Sequence, residues 1–276
     1  MCVVVHWLVR LNESRVSEKR TDCFFVYLSL RNNTIMNFTF IIVLFSLALS
    51  VESLSLQNSP MSTKSAATAA ARAVGKLHPS TTALLLCDVQ ERFRPLIFKM
   101  ETVVQTCRYM TSVATALNMP IVATQQYTKV FGDTLDECFA TPEAKAAATP
   151  IFEKKKFSML TDQVTEKLTQ LDKSSYIMVG IETHVCVQQT CLDLLEQGKD
   201  VHIIVDGVSS QQPIDRQVAL QRMQAAGAYL TTAQSAAYML MQSADHPNFK
   251  EVSKLTVAHM KLPNEFNDAA AANGIL

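Results

Sequence analysis

The chain has 276 residues, with 25 Lys and Arg against 25 Asp and Glu, 48% hydrophobic residues and 18% charged. Zero net charge supplies no field to gather nucleic acid or acidic lipid, while the apolar share is ample for a sizeable core. Its seven glycines form no Gly-x-Gly-x-x-Gly or P-loop, and its seven cysteines fall at irregular spacings without a Cys-x-x-Cys, which argues against a nucleotide cradle, a disulfide framework and a structural zinc site.

The first 79 residues read as a leader. Residues 38–49 are apolar but too short to span a bilayer comfortably. Counted from Met36 they resemble a signal-peptide core, with Ala48-Leu49-Ser50 as a small-x-small site but no basic stretch directly after Met36. From Met61 the chain is rich in Ala, Ser, Thr, Lys and Arg, and no acid occurs between Glu52 and Asp88, as in a mitochondrial transit peptide. The favoured expectation is a start at Met61, with 1–60 an upstream extension and a cytoplasmic or mitochondrial location. Reduced thiols fit such a compartment.

From residue 80 apolar runs alternate with helical patterns. Strands are expected at 82–87, 121–125, near 150–153, 176–180, 201–205 and 228–231, and helices near 98–117, 160–171, 184–197 and 214–226. Gly198 and Gly227 sit just past two of these helices, where a left-handed residue belongs. Such β-α alternation predicts an α/β fold: a three-layer αβα sandwich around a mainly parallel, doubly wound sheet, spanning 80–255 with a tail at 256–276. Ligands in such sheets bind beyond the carboxyl ends of the strands. There the first strand ends in Asp88, and the fourth runs into Gly180-Ile181-Glu182-Thr183-His184-Val185-Cys186-Val187. With Thr183 as N-cap, Cys186 falls in the first helical turn, where backbone N–H groups and the helix dipole favour a thiolate. A nucleophile there weighs about evenly against one more buried small residue.

Three segments, in order, carry a resemblance: Asp88-Val89-Gln90-Glu91-Arg92-Phe93, Lys154-Lys155-Lys156-Phe157-Ser158, and Gly180 to Val187. Together they resemble the isochorismatase-like cysteine hydrolase superfamily over roughly residues 80–255. Thr124-Gln125-Gln126-Tyr127 and the segment 246–251 bring it closest to the isochorismatase domain-containing proteins. The resemblance implies a Cys-Asp-Lys triad of Cys186, Asp88 and Lys154, the lysine three residues before Phe157. On an extended segment Lys156 shares the face of Lys154 and is its rival, while Lys155 points away. It further implies a cis peptide at Ile181–Glu182 and an oxyanion hole from the backbone N–H groups of Glu182 and Cys186. Phe93, Gln126, Tyr127 and His184 are expected to line a substrate pocket.

Such residues suit attack on a carbonyl: thiolate, proton carrier and cation. Nicotinamidases of this superfamily carry an Asp-x-His metal pair where this chain reads Ala123-Thr124-Gln125-Gln126-Tyr127, so no metal and no cofactor is expected. True isochorismatases lack the nucleophilic cysteine, which disfavours vinyl-ether hydrolysis here. The expected function is metal-independent hydrolysis of a small amide or related carbonyl compound by a homo-oligomer, with no nucleic acid or membrane partner for the core. The alternatives are an idle triad on an interaction protein, or a nucleic-acid-processing role.

Overall fold

A computed structural model describes residues 74–267. The leader and its signal-like and transit-like features, Met61, Cys2 and Cys23, and residues 268–276 of the tail lie outside the described residues.

The elements in chain order are β1 (Thr82–Cys87), α1 (Met100–Ala116), β2 (Ile121–Gln126), the short helices α2 (Thr128–Phe131) and α3 (Pro142–Ala147), β3 (Phe152–Lys154), α4 (Asp162–Leu171), β4 (Ser175–Ile181), a turn at Thr183–Val187, α5 (Gln188–Glu196), β5 (Asp200–Ser209), α6 (Pro213–Ala225), β6 (Tyr229–Thr231), α7 (Ala233–Met241) and α8 (Phe249–Met260). The strands form one all-parallel sheet in the order β3-β2-β1-β4-β5-β6. Every residue of β1 and β4 is buried, as expected where helices cover both faces. Alternate side chains feed two cores. Leu84, Leu86, Ile177 and Val179 pack with α1, α7 and α8, while Leu85, Cys87, Tyr176 and Met178 pack with α4, α5 and α6. This is the three-layer sandwich expected from the alternation. Among the described residues no helix is long and apolar enough to cross a membrane.

Besides the short α2 and α3, two longer helices, α7 and α8, have no counterpart among the expected elements. The first buries Ala233, Ala236, Ala237, Leu240 and Met241, a helical spacing built largely from small residues, and Thr232 caps it by accepting from the Ser235 N–H at 3.3 Å. The second carries on past residue 255, the expected end of the domain. Thr256 is buried and shares a 2.7 Å hydrogen bond with the Tyr109 hydroxyl of α1.

Gly180 explains how β1 and β4 approach at their ends. At φ +125° a Cβ there would stand 2.1 Å from the Cys87 carbonyl oxygen, so only glycine lets the Cys186 turn follow so close to β1.

His202 of β5 is 1% exposed, stacks on Tyr229 with centroids 4.9 Å apart, and its Nε2 makes no hydrogen bond within the protein. Burial lowers its pKa to about 4. A depressed histidine contributes stability that is present above the ordinary value near 6.5 and lost as pH falls toward 4. The full loss is on the order of 3 kcal/mol. The expected result is that His202→Phe flattens thermal stability between about pH 6.5 and 4 relative to the parent. Parallel stability curves for the two proteins would refute this role.

Candidate active site

β1 and β2 pair so that Cys87 lies opposite Thr124, and β3 pairs with β2 so that Lys154 lies opposite Gln126. These two registers bring the chemistry together. Asp88 leaves the strand with φ +52°, a conformation that aspartate tolerates better than most residues. Its Oδ1 accepts from the Thr124 hydroxyl at 2.8 Å and its Oδ2 lies 2.6 Å from the Lys154 Nζ. Both side chains are almost wholly buried, at 2% and 0% exposure.

Lys154 Nζ also donates to Gln126 Oε1 at 2.7 Å, the Phe157 carbonyl at 2.8 Å and the Lys156 carbonyl at 3.2 Å. The loop after β3 thus closes around the ammonium that starts it. Burial pulls the Lys154 pKa down, but the negative charges that Cys87, Asp88 and Cys186 can carry outweigh it, and the net shift is upward. Lys156 is placed elsewhere: its side chain is 56% exposed, 3.7 Å from Asp193, and donates to the Leu160 carbonyl at 3.0 Å.

Cys186 is 6% exposed and sits in the turn Thr183–Val187. The turn is π-helical, with the Val187 N–H reaching back five residues to the Glu182 carbonyl at 3.1 Å. Thr183 is therefore the first helical residue rather than the cap. Glu182 takes the cap position, and the Thr183 hydroxyl is buried without a hydrogen bond to the protein. The Ile181–Glu182 peptide is cis. Cys186 and Cys87 belong to one buried cluster as electrostatic neighbours, and the Cys87 Sγ is 3.6 Å from Asp88 Oδ2. Thr190, one helical turn on, donates to the Cys186 carbonyl at 2.6 Å and accepts from the Met159 N–H at 2.8 Å, tying the lysine loop to the cysteine turn.

The residues expected to line a pocket divide. Gln126 is buried, with Oε1 held by Lys154 and Nε2 donating to the Lys155 carbonyl at 3.0 Å. Phe93 stacks on Phe131 with centroids 4.7 Å apart. Tyr127, half-buried at φ +31°, lies under Lys155, whose Nζ is 4.8 Å from the ring centroid. His184 Nδ1 is 3.0 Å from Ser210 Oγ and 3.6 Å from Glu182 Oε2, while its Nε2 is 3.9 Å from Asp215.

Several positions were not singled out in the sequence. Gln90 grips the backbone of Gln126 from both sides, accepting from its N–H at 2.7 Å and donating to its carbonyl at 2.9 Å. Gln211 donates twice to the Glu182 carboxylate, at 3.0 and 2.7 Å. Gln90 and Thr124 were signalled by their places in the Asp88-x-Gln90 and Thr124–Tyr127 motifs; Thr190 and Gln211 carry no local signal. A groove of about 450 Å³ on α8, lined by Phe249, Lys254, Val257 and Lys261 among others, contains no thiol, carboxylate or imidazole.

The isochorismatase domain model matches residues 82–235. The secreted isochorismatase effector Isc1 of Phytophthora sojae is 43% identical over 207 residues, covering 74% of this chain and 98% of that protein. Isochorismatase domain-containing protein 2 of Xenopus laevis is 40% identical over 185 residues, 67% of this chain and 87% of its own length. Among solved structures, the MAR1 ribonuclease from Caenorhabditis elegans is 40% identical with a TM-score of 0.61, covering 66% of this chain and 92% of that one.

Proposed function

Because the chain belongs to the isochorismatase family, in the branch of the isochorismatase domain-containing proteins, we propose that it hydrolyses a small amide or related carbonyl compound through a thioester on Cys186. The observation that carries this reading is the buried Asp88–Lys154 pair at 2.6 Å, converging with the Cys186 turn.

Cys186 attacks the carbonyl carbon and Asp88 takes the thiol proton, then passes it to the departing amine. Water deprotonated by Asp88 attacks the thioester, and the acid leaves as the thiol is restored. Lys154 stays protonated, holds the Asp88 carboxylate in place and offsets negative charge as it develops. The family resemblance assigns the oxyanion to the backbone N–H groups of Glu182 and Cys186. Cys186, Asp88 and Lys154 are each no more than 6% exposed, which favours a small substrate.

Chelation is expected to leave turnover unchanged. The side chains of Gln125 and Gln126, where other superfamily members bind metal, are hydrogen-bonded within the protein. Activity that falls with a chelator and returns with one divalent metal would contradict this.

A second reading, RNA cleavage, is favoured by the likeness to a structure described as a ribonuclease. Exposed Lys155, Lys156 and Phe157 beside Tyr127 support it as a cation-and-aromatic rim. The deciding experiment offers the purified protein a panel of small amides and imides, read by ammonia release, alongside single-stranded RNA. Ammonia released by the parent but not by Cys186→Ala supports the amidase reading. RNA cleavage that survives Cys186→Ala, with no amide turned over, would replace it. Self-association is supported by the apolar residues that α6 and α8 leave exposed, Ile214, Val218, Val257 and Met260.

A further inference from the structure

The hydrolytic mechanism gives Cys87 no task, yet its thiol stands among the reacting groups. It is the last residue of β1, fully buried, with Sγ 3.6 Å from Asp88 Oδ2 and Cys186 as an electrostatic neighbour. The Lys154 ammonium, 2.6 Å from that same Oδ2, senses both sulfurs. Both cysteines belong to one apolar cluster, and the absent Cβ of Gly180 is what lets the Cys186 turn follow so close to Cys87.

From this juxtaposition we propose that Cys87 and Cys186 are a redox pair: a peroxide oxidises Cys186, and Cys87 captures the product as a reversible intramolecular disulfide. In the first step the Cys186 sulfur attacks hydrogen peroxide. The O–O bond breaks, one oxygen stays on sulfur as a sulfenic acid, and the other leaves as water after taking up the thiol proton. In the second step the Cys87 sulfur attacks the sulfenic sulfur, its proton passing to Asp88 Oδ2. The S–S bond forms, the S–O bond breaks, and the departing hydroxide collects that proton from Asp88 as a second water. Two thiols and one peroxide become one disulfide and two waters.

Burial, then the neighbouring Cys186 and Asp88, hold the Cys87 thiol well above the usual range. Cys87 therefore remains a thiol and leaves the peroxide to Cys186; it reacts once an adjacent electrophilic sulfur is made. The cross-link would silence the nucleophile while shielding it from irreversible over-oxidation. The inference rests on the proposed function only in taking Cys186 as the reactive thiol.

The test treats the full chain with graded hydrogen peroxide, blocks remaining thiols, digests with trypsin and maps sulfur by mass spectrometry. The expected product joins peptide 77–92 to peptide 174–199, lighter by two hydrogens, with fragmentation placing the link on Cys186 rather than Cys191, and dithiothreitol reverses it. Cys87→Ser, with Cys87→Ala as a second variant, should instead carry two or three oxygens on Cys186 that dithiothreitol does not remove. If wild-type Cys186 over-oxidises as readily as in these variants, with no linked peptide, the cross-link is refuted and the nucleophile assignment stands. If Cys186 takes up neither oxygen nor an alkylating agent, both are overturned.

Discussion

Cys186→Ala is expected to abolish hydrolysis of any substrate the parent turns over, a loss of about 10⁴-fold or more, while leaving the protein folded. A carboxylate and an ammonium without the sulfur cannot form the acyl intermediate, so the whole covalent route closes rather than one contribution to it. The fold should tolerate the change because the side chain removed is small and lies at the rim of the core, not in its middle. Circular dichroism and the thermal midpoint of the variant should therefore match the parent. Thiol reactivity is the companion measurement. Burial pushes the Cys191 thiol up to about 12, and Cys87 and Cys138 are held well above the usual range. Iodoacetamide at neutral pH should thus modify Cys186 first among the described cysteines. Full turnover by the alanine variant, or faster modification of Cys191, would remove Cys186 from the mechanism.

The second large effect concerns stability. Lys154→Met should cost about 3–5 kcal/mol, because it leaves the buried Asp88 carboxylate without its cation. For a domain of this size that is roughly a 6–20 °C fall in thermal midpoint. Gln126 Oε1 and the Phe157 carbonyl lose their donor in the same stroke. Adding Asp88→Asn to Lys154→Met should recover part of the loss, since the uncompensated charge disappears, and a double-mutant cycle measures the coupling. The raised pKa of Lys154 sets the pH behaviour. A raised folded-state value contributes stability that is complete below the ordinary lysine range and is lost only as pH climbs through the folded-state value. The pair should therefore hold at neutral pH and weaken in alkali. A midpoint for Lys154→Met within a degree or two of the parent would show that the pair contributes nothing to the fold.

Local pattern was enough to read the layers of this protein. The buried runs 82–87 and 176–180 alternating with amphipathic helices can settle only as a parallel sheet covered on both sides, and the left-handed Gly198 and Gly227 end helices where expected. Asp88 and Cys186 stand at strand ends, where the pattern made them candidates and the resemblance gave them roles. What the sequence could not decide is which groups meet, because that depends on register between strands far apart in the chain. Lys154 and Lys156 are equivalent on an extended segment. The pairing of Lys154 with Gln126, 28 residues earlier, turns one ammonium toward Asp88 and leaves the other beside Asp193. Gln90, reaching 36 residues across, fixes the Gln126 backbone, and Lys154 donates to its Oε1, a pairing that no local pattern announces. Cys87 reads as plain core until the missing Cβ of Gly180 lets the cysteine turn follow beside it. Periodicity is a property of neighbours along the chain and survives in one dimension; a hydrogen bond between distant strands is a property of register, which exists only once the sheet has formed.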